Sequence, residues 1–195
     1  MTLQKYIHGL RKDIVFEANL KGSKFVFNST WGLFSPKEID KGSLMLIDHV
    51  CIEPTDHTLE VGCGYGPIGL AIARMSPQGV VHMLDKDFVA VDYARKNAQA
   101  NGISNCDIYL SNAFSNVPDM EFDNIVSNLP AKVGKEMLYL ILNDAKSHLK
   151  TGGKFYVVVI AGLKEYIKRN FNEVFGNYTK LKQGNKYMVA VATKE

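Results

Sequence analysis

A chain of 195 residues with 46% hydrophobic and 22% charged content has the composition of a soluble globular protein, long enough to bury one sizeable core. Its formal charge is only +3, and no apolar run approaches the ~20 residues that a membrane-spanning helix needs. Cys51, Cys63 and Cys106 lack metal-ligand spacing, and their odd number argues against a disulfide framework, so a reduced, cytoplasmic setting is expected.

Charge is uneven along the chain. Residues 1–30 carry five Lys/Arg against two Asp/Glu, and residues 163–195 carry seven against three. Residues 31–162 carry eleven against fifteen. Basic flanks can form a phosphate-facing surface, and they can equally be scattered solvated charge. The start, Met1-Thr2-Leu3-Gln4-Lys5, leads into no signal-peptide apolar core.

Residues 14–18 and 24–28 alternate apolar and polar side chains around Lys21-Gly22-Ser23, which predicts a β-hairpin. The segment Trp31-Gly32-Leu33-Phe34-Ser35-Pro36 breaks that pattern and leads into a helix from 37 or 40 to 50. An apolar run ending at Leu59 reads as a buried strand, and residues 68–75 as a helix. A second strand closes at Asp85, followed by a helix over 87–100 with Asp87 as N-cap and Asn101-Gly102 as its stop. Short strands are expected over 107–110 and 122–127. Residues 134–149 read as an amphipathic helix stopped by Thr151-Gly152-Gly153, ahead of a doubly covered strand over 154–160. A last helix over 163–175 precedes a closing hairpin, 178–182 with 187–193.

This alternation predicts an α/β fold. The sheet should be Rossmann-like and doubly wound, with about seven strands, mostly parallel with one antiparallel strand, preceded by the N-terminal hairpin. Residues 1–195 read as one domain, a hairpin extension over 1–35 and a core over 36–195.

The most informative stretch is 59–69. Gly62, Gly64 and Gly66 fall between a strand and a helix, where a missing Cβ permits positive φ and a close ligand approach. Amides opening the helix favour negative charge there. Asp85 lies 23 residues beyond Gly62 and ends the next strand, where a carboxylate can accept both ribose hydroxyl hydrogens. A nucleoside-cofactor site follows.

Two glycine patterns overlap in it. Gly64-Tyr65-Gly66-Pro67-Ile68-Gly69 satisfies the dinucleotide pattern G-x-G-x-x-G, and Gly62-Cys63-Gly64-Tyr65-Gly66 satisfies the G-x-G-x-G of S-adenosylmethionine enzymes. Glu60 would repel a pyrophosphate but could hold a methionine ammonium through water or backbone. Pro67 removes an amide donor that a pyrophosphate would use. The methyl-donor reading is favoured.

Ligands bind open α/β sheets at the carboxyl ends of the strands. Those ends are Glu60 to Gly66, Asp85-Lys86, Ser111-Asn112-Ala113-Phe114 and Ser127-Asn128-Leu129-Pro130-Ala131-Lys132. Asn112 and a neighbouring amide could read an adenine edge, although Asn at a strand exit is also a common turn residue. Asp85 could serve only as a helix cap, and Cys63 is expected to offer its backbone. His8, His49, His57, His82 and His148 form no metal or triad pattern, and no metal is expected.

The motifs Gly32-Leu33-Phe34-Ser35, Asp40-Lys41-Gly42-Ser43 with Leu44 and Leu46, Glu60 to Gly66, and Gly152-Gly153 resemble those of class I S-adenosylmethionine-dependent methyltransferases. More narrowly, they are similar to the small-domain group that includes ribosomal RNA guanine-N2 methyltransferases, over residues from about 10 to 195. The resemblance implies S-adenosylmethionine as cofactor. Phe34 would pack beneath it, with Glu60, Gly62, Cys63, Gly64 and Gly66 at the methionine part. Asp85 beside Lys86 would take the ribose, and Asn112 with Ala113 the adenine.

The family's catalytic motif is Asn-Pro-Pro followed by an aromatic residue, and Asn128-Leu129-Pro130-Ala131 stands in its place. An Asn oxygen and the next carbonyl can bind both hydrogens of an exocyclic amine and orient its lone pair. Asn128 and the Leu129 carbonyl keep that capacity, with Pro130 stiffening the turn. Ala131 lacks the ring on which the family stacks its flipped base, a contact typically worth ~1–3 kcal/mol. Lys132 could reach a phosphate, and Trp31 or Phe34 could supply a ring instead.

The expectation is therefore a cytoplasmic N-methyltransferase acting on RNA, of the rRNA guanine-N2 type, with no membrane partner. The alternatives are the same chemistry on a protein glutamine or a small metabolite, a non-catalytic cofactor-binding subunit, and, last, a nicotinamide-dependent oxidoreductase. The short flanks suggest that a second copy or a partner protein supplies RNA recognition.

Overall fold

The computed structural model describes residues 3–10 and 12–195, the side chains of Lys5, Tyr6 and His8 excepted. The readings made on Met1, Thr2, Arg11 and those three side chains lie outside the described residues. A first helix, α1 (Leu3–Leu10), precedes the hairpin β1 (Ile14–Leu20) and β2 (Ser23–Ser29). No element is predicted from the sequence over 3–10, although Leu3, Ile7 and Leu10 stand at helical spacing.

The core then runs α2 (Lys41–His49), β3 (Thr58–Val61), α3 (Pro67–Met75), β4 (Val81–Asp85), α4 (Phe88–Ala100), β5 (Cys106–Leu110) and β6 (Phe122–Asn128). It closes with α5 (Lys135–His148), β7 (Leu149–Ile160), α6 (Lys164–Phe175), β8 (Thr179–Gln183) and β9 (Tyr187–Thr193). The main sheet has seven strands in the order β5-β4-β3-β6-β7-β9-β8. The ladders β5–β4, β4–β3, β3–β6 and β6–β7 are parallel. Strand β9 alone runs against the others, pairing antiparallel with β7 and β8. The predicted sheet is therefore the observed one, hairpin included.

Side chains of the central strands alternate between two cores, as a sheet covered on both faces requires. Along β7, Tyr156 and Val158 join the core under α2, α3 and α4, while Phe155, Val157 and Val159 join the core under α5 and α6. The hairpin belongs to the first core, because Phe25 and Phe27 are fully buried in it. The Phe27 and Tyr65 rings meet edge to face at 5.8 Å, which seats the hairpin against the glycine loop. Buried Asn97 of α4 accepts from the Asn28 amide at 2.7 Å and donates to the carbonyls of Asn28 and Tyr65, satisfying both ends of its amide.

One predicted boundary is corrected. Helix α5 ends at His148 and passes directly into β7, so Thr151-Gly152-Gly153 lies inside the strand rather than stopping a helix. The register of β7 against β6 slips between Phe122 and Asn124. Gly152, at φ +80°, takes the left-handed conformation of a bulge and donates its amide to Lys194. A run of small and polar residues reads the same in both settings. Among the described residues, no helix is long and apolar enough to cross a membrane.

Candidate functional site

The carboxyl ends of β3, β4, β5 and β6 open onto one cleft of about 450 Å³. After Val61 the chain turns through Gly62 and Gly64, whose φ values of +79° and +55° side chains rarely adopt. A Cβ on either would meet nothing within 4 Å, so the loop leaves a backbone cradle facing open space. The amides of Gly62 and Cys63 both donate to the Leu84 carbonyl, at 2.8 and 2.9 Å, which anchors the cradle to β4. Gly66 caps α3, and Pro67 opens that helix without an amide donor.

Asp85 stands beside this cradle. Its Oδ2 accepts from the Gly64 amide at 2.9 Å and its Oδ1 from the Asp87 amide at 3.0 Å. Each carboxylate oxygen keeps a lone pair for a further donor. The helix cap is Asp87, whose Oδ1 accepts from Val89 at 2.9 Å, so capping does not account for Asp85. Lys86 lines the same edge of the cleft.

Glu60 is enclosed, with 1% of its surface exposed, and its Oε2 accepts from the Gly69 amide at 2.8 Å. Burial pushes its carboxyl well above the usual range; the Gly69 bond opposes this and the Asp85 charge adds to it. The side chain therefore ties β3 to α3 from beneath the loop. Cys63 is buried too and lines the cleft; burial pushes its thiol up, and its Sγ donates to the Gly64 carbonyl at 3.5 Å.

At the end of β5, the Ser111 hydroxyl donates to the Ala113 carbonyl at 2.6 Å and accepts from the Asn116 amide. That turn holds Ala113 at φ +48° and sets Asn112 and Ala113 on the cleft wall. Phe34, 65% exposed, and Ile160 reach the same opening. Val133, Met137 and Ile141 make part of the cleft apolar.

At the end of β6, Ser127 donates to the Val61 carbonyl at 2.8 Å and the Leu129 amide to the Val158 carbonyl at 3.0 Å. These bonds fix the turn that presents Asn128, Leu129, Pro130 and Ala131 to the cleft. The Asn128 amide nitrogen donates to Asp40 Oδ2 at 3.2 Å and to Ser43 Oγ at 3.0 Å. Asp40 also caps α2, accepting from the amides of Gly42 and Ser43, and its Oδ1 accepts from the Tyr187 hydroxyl at 2.8 Å. Asp40, Ser43 and Tyr187 line the cleft, although the strand-end reading did not assign them there. A cap signal at Asp40 was legible, but nothing local marks Tyr187.

The structure thus brings Phe34, Glu60, Gly62, Cys63, Gly64, Asp85, Lys86, Asn112, Ala113 and Asn128 to Ala131 around one cleft. Gly66 lies behind it, packed on Met83 and Leu70. Trp31 and Lys132 are not among its lining residues. The Trp31 ring instead lies 4.8 Å from the Lys37 ammonium, and Lys132 faces solvent. Among the described residues no group of His, Cys, Asp and Glu could hold a metal ion.

A glycine cradle with a carboxylate at the neighbouring strand end fits an adenosyl cofactor. The family model "Methyltransferase small domain" matches residues 24–191. The Bacillus subtilis protein YbxB is 41% identical over 143 residues, which are 72% of this chain and 71% of that protein. The ribosomal RNA small subunit methyltransferase C of Hamiltonella defensa is 32% identical over 83% of this chain and 48% of its own length. The chain therefore spans about half the length of the curated methyltransferases it matches. Among solved structures, the T. thermophilus 16S rRNA N2 G1207 methyltransferase, in complex with AdoMet and guanosine, superposes with a TM-score of 0.85 at 27% identity. That match covers 93% of this chain and 50% of the other.

Proposed function

The chain belongs to the methyltransferase small domain family, whose cofactor is S-adenosylmethionine, and on that premise we propose that it methylates an exocyclic nitrogen of RNA, of the guanine-N2 type in ribosomal RNA. The observation that carries this reading is the meeting of Asn128 and the Leu129-Pro130 turn with the glycine cradle and Asp85 in one cleft. When bound, S-adenosylmethionine supplies an electrophilic methyl group.

The cradle of Gly62, Cys63 and Gly64 holds the methionine part, with Glu60 fixing the loop from beneath and Phe34 packing against the cofactor. Asp85, beside Lys86, accepts from the ribose hydroxyls; Asn112 and Ala113 border the adenine. Asn128 Oδ1 and the Leu129 carbonyl accept the two N–H groups of the acceptor amine. An exocyclic amine has its lone pair drawn into the ring, and this grip turns that lone pair toward the methyl group. The gain is positioning and electrostatic complementarity, so no strong base is needed.

The names of the relatives support an RNA acceptor. So does a groove of about 160 Å³ lined by Lys164, Lys168 and Lys180, none of which forms an ion pair with another described residue. Helix α6 starts just after the carboxyl end of β7, where Ile160 lines the cleft, so Lys164 stands at that end of the sheet. A second copy or a partner protein completes RNA recognition, and an RNA acceptor implies a cytoplasmic setting. Ala131 favours one second reading: without a stacking ring, the cleft suits a protein glutamine or a small amine.

The test is tritiated methyl transfer from S-adenosylmethionine into RNA, protein and metabolite fractions, beside Asn128→Ala. Label in RNA that Asn128→Ala abolishes supports the reading. Label confined to protein or metabolites replaces the acceptor, and cofactor binding without label anywhere makes the chain a non-catalytic subunit.

A further inference from the structure

We propose that Asp40 is the positioning residue that sets the amide orientation of Asn128 and, through it, stabilises charge developing on the acceptor nitrogen; this rests on the methyl-transfer reading above. An Asn side chain can sit with its oxygen and nitrogen exchanged, and only one orientation offers an oxygen to an amine. Ser43 does not decide between them, since a hydroxyl both donates and accepts. A carboxylate only accepts. With Asp40 Oδ2 at 3.2 Å, the amide nitrogen must face it, and Oδ1 is left for the substrate.

Helix capping alone does not explain this arrangement. A cap needs one side-chain oxygen on the first amides of the helix, which Asp40 Oδ2 supplies to Gly42 at 2.8 Å and Ser43 at 3.3 Å. The same oxygen also takes the Asn128 amide from 88 residues away, and Oδ1 takes the Tyr187 hydroxyl from 147 residues away. Tyr187 holds the carboxylate on its far side and fixes its rotation. Gly42 makes room for the group: a Cβ there would stand 2.8 Å from Asp40 Oδ2 and 2.9 Å from the Tyr187 ring. Three elements, α2, β6 and β9, thus converge on one carboxylate.

The charge acts in the reaction itself. As the nitrogen lone pair forms the N–C bond and the C–S electron pair returns to sulfur, the nitrogen becomes positive until one of its protons passes to water. A carboxylate one hydrogen bond behind the amide polarises it and makes Oδ1 a stronger acceptor where that charge appears. The benefit is larger in the transition state than in the bound state, so it belongs in kcat rather than in KM.

The experiment compares wild type with Asp40→Asn and Asn128→Asp, measuring kcat, KM for RNA, cofactor affinity and melting temperature. Asp40→Asn keeps a capping oxygen and the shape, so melting temperature and cofactor affinity should hold while kcat falls about tenfold with KM unchanged, the equivalent of one charge-assisted hydrogen bond. Asn128→Asp sets two carboxylates together and should lose about a hundredfold or more. A readout without turnover is hydrogen exchange at the labelled Asn128 side-chain amide, slow in wild type and fast in Asp40→Ala. An Asp40→Asn enzyme with unchanged kcat, or an Asn128 side-chain amide that exchanges no faster in Asp40→Ala, overturns the proposal while wild-type activity leaves the methyl-transfer reading intact. A wild type that labels no acceptor amine overturns that reading instead.

Discussion

Asp85 receives the Gly64 amide on its Oδ2 at 2.9 Å, so the carboxylate that would grip a ribose also braces the loop that would hold the rest of the cofactor. Removing it should act on affinity through both. Asp85→Ala is expected to weaken S-adenosylmethionine binding about 10- to 100-fold, the loss of one or two hydrogen bonds to a charged group at about 1.5–3 kcal/mol each, less what water returns. Helix α4 should be untouched, because Asp87 is its cap. Isothermal calorimetry with far-UV circular dichroism reads both, and an unchanged affinity would remove Asp85 from the site.

Glu60 carries a pH dependence whose sign can be worked out. Burial raises its carboxyl pKa in the folded chain above the unfolded value of about 4.3. The native state then holds the proton more tightly than the unfolded one, so this contribution to stability is full below the unfolded value. It is lost as pH rises through the folded value. The cofactor-free protein should therefore melt at progressively lower temperature as pH is raised from about 5 toward 8. Glu60→Gln, which keeps an acceptor for Gly69 without the charge, should flatten that slope and exceed wild type at the alkaline end. Melting curves across the range decide it, and a wild-type slope retained in Glu60→Gln would assign the titration elsewhere.

Gly69 shows why two glycine patterns overlapped in this stretch. A Cβ at 69 would collide with Glu60 Oε2 and stand 2.7 Å from the Met83 side chain, so this glycine serves the contact between α3 and the sheet. The G-x-G-x-x-G match is completed by a packing requirement and says nothing of a dinucleotide. Gly69→Ala gains about 1 kcal/mol of helix propensity. It forfeits the Glu60 bond and strains a tight contact, typically costing about 1–3 kcal/mol for overpacking alone. A lower melting temperature is expected; a rise would mean that the helix shifts to make room.

What could be read from the sequence was what neighbours in the sequence determine. The cradle of Gly62 and Gly64 and the acid at Asp85 are separated by one helix, and strand–helix alternation fixes where they meet. The Asp40–Asn128–Tyr187 group is different. Its members come from α2, β6 and β9, and they meet only because β9 enters the sheet beside β7. No spacing rule carries that information. Trp31 shows the converse: it adjoins a motif in the chain yet turns to Lys37, outside the cleft. Gly152 looked like a helix stop because a bulge and a cap both need a left-handed residue.

The basic groove gives the most direct physical test of an RNA acceptor. Lys164 and Lys168 stand one helical turn apart and share their groove with Lys180. Like charges at that spacing cost a helix a few tenths of a kcal/mol, a cost that a bound phosphate would offset. Binding a phosphate releases counterions, so log K for RNA should fall linearly with log salt, by about 0.7–0.9 per phosphate neutralised. Replacing all three lysines with alanine should reduce that slope by about 2 to 3 and weaken RNA binding at low salt. S-Adenosylmethionine affinity should not change, because none of the three lines the cleft. Glu165 in the same groove supplies a control: Glu165→Gln should tighten RNA binding modestly, by lifting a like-charge penalty on the phosphate. A triple variant with the wild-type salt slope would mean that the polyanion approaches elsewhere, and a wild type without salt dependence would turn the search toward a protein or small-molecule acceptor.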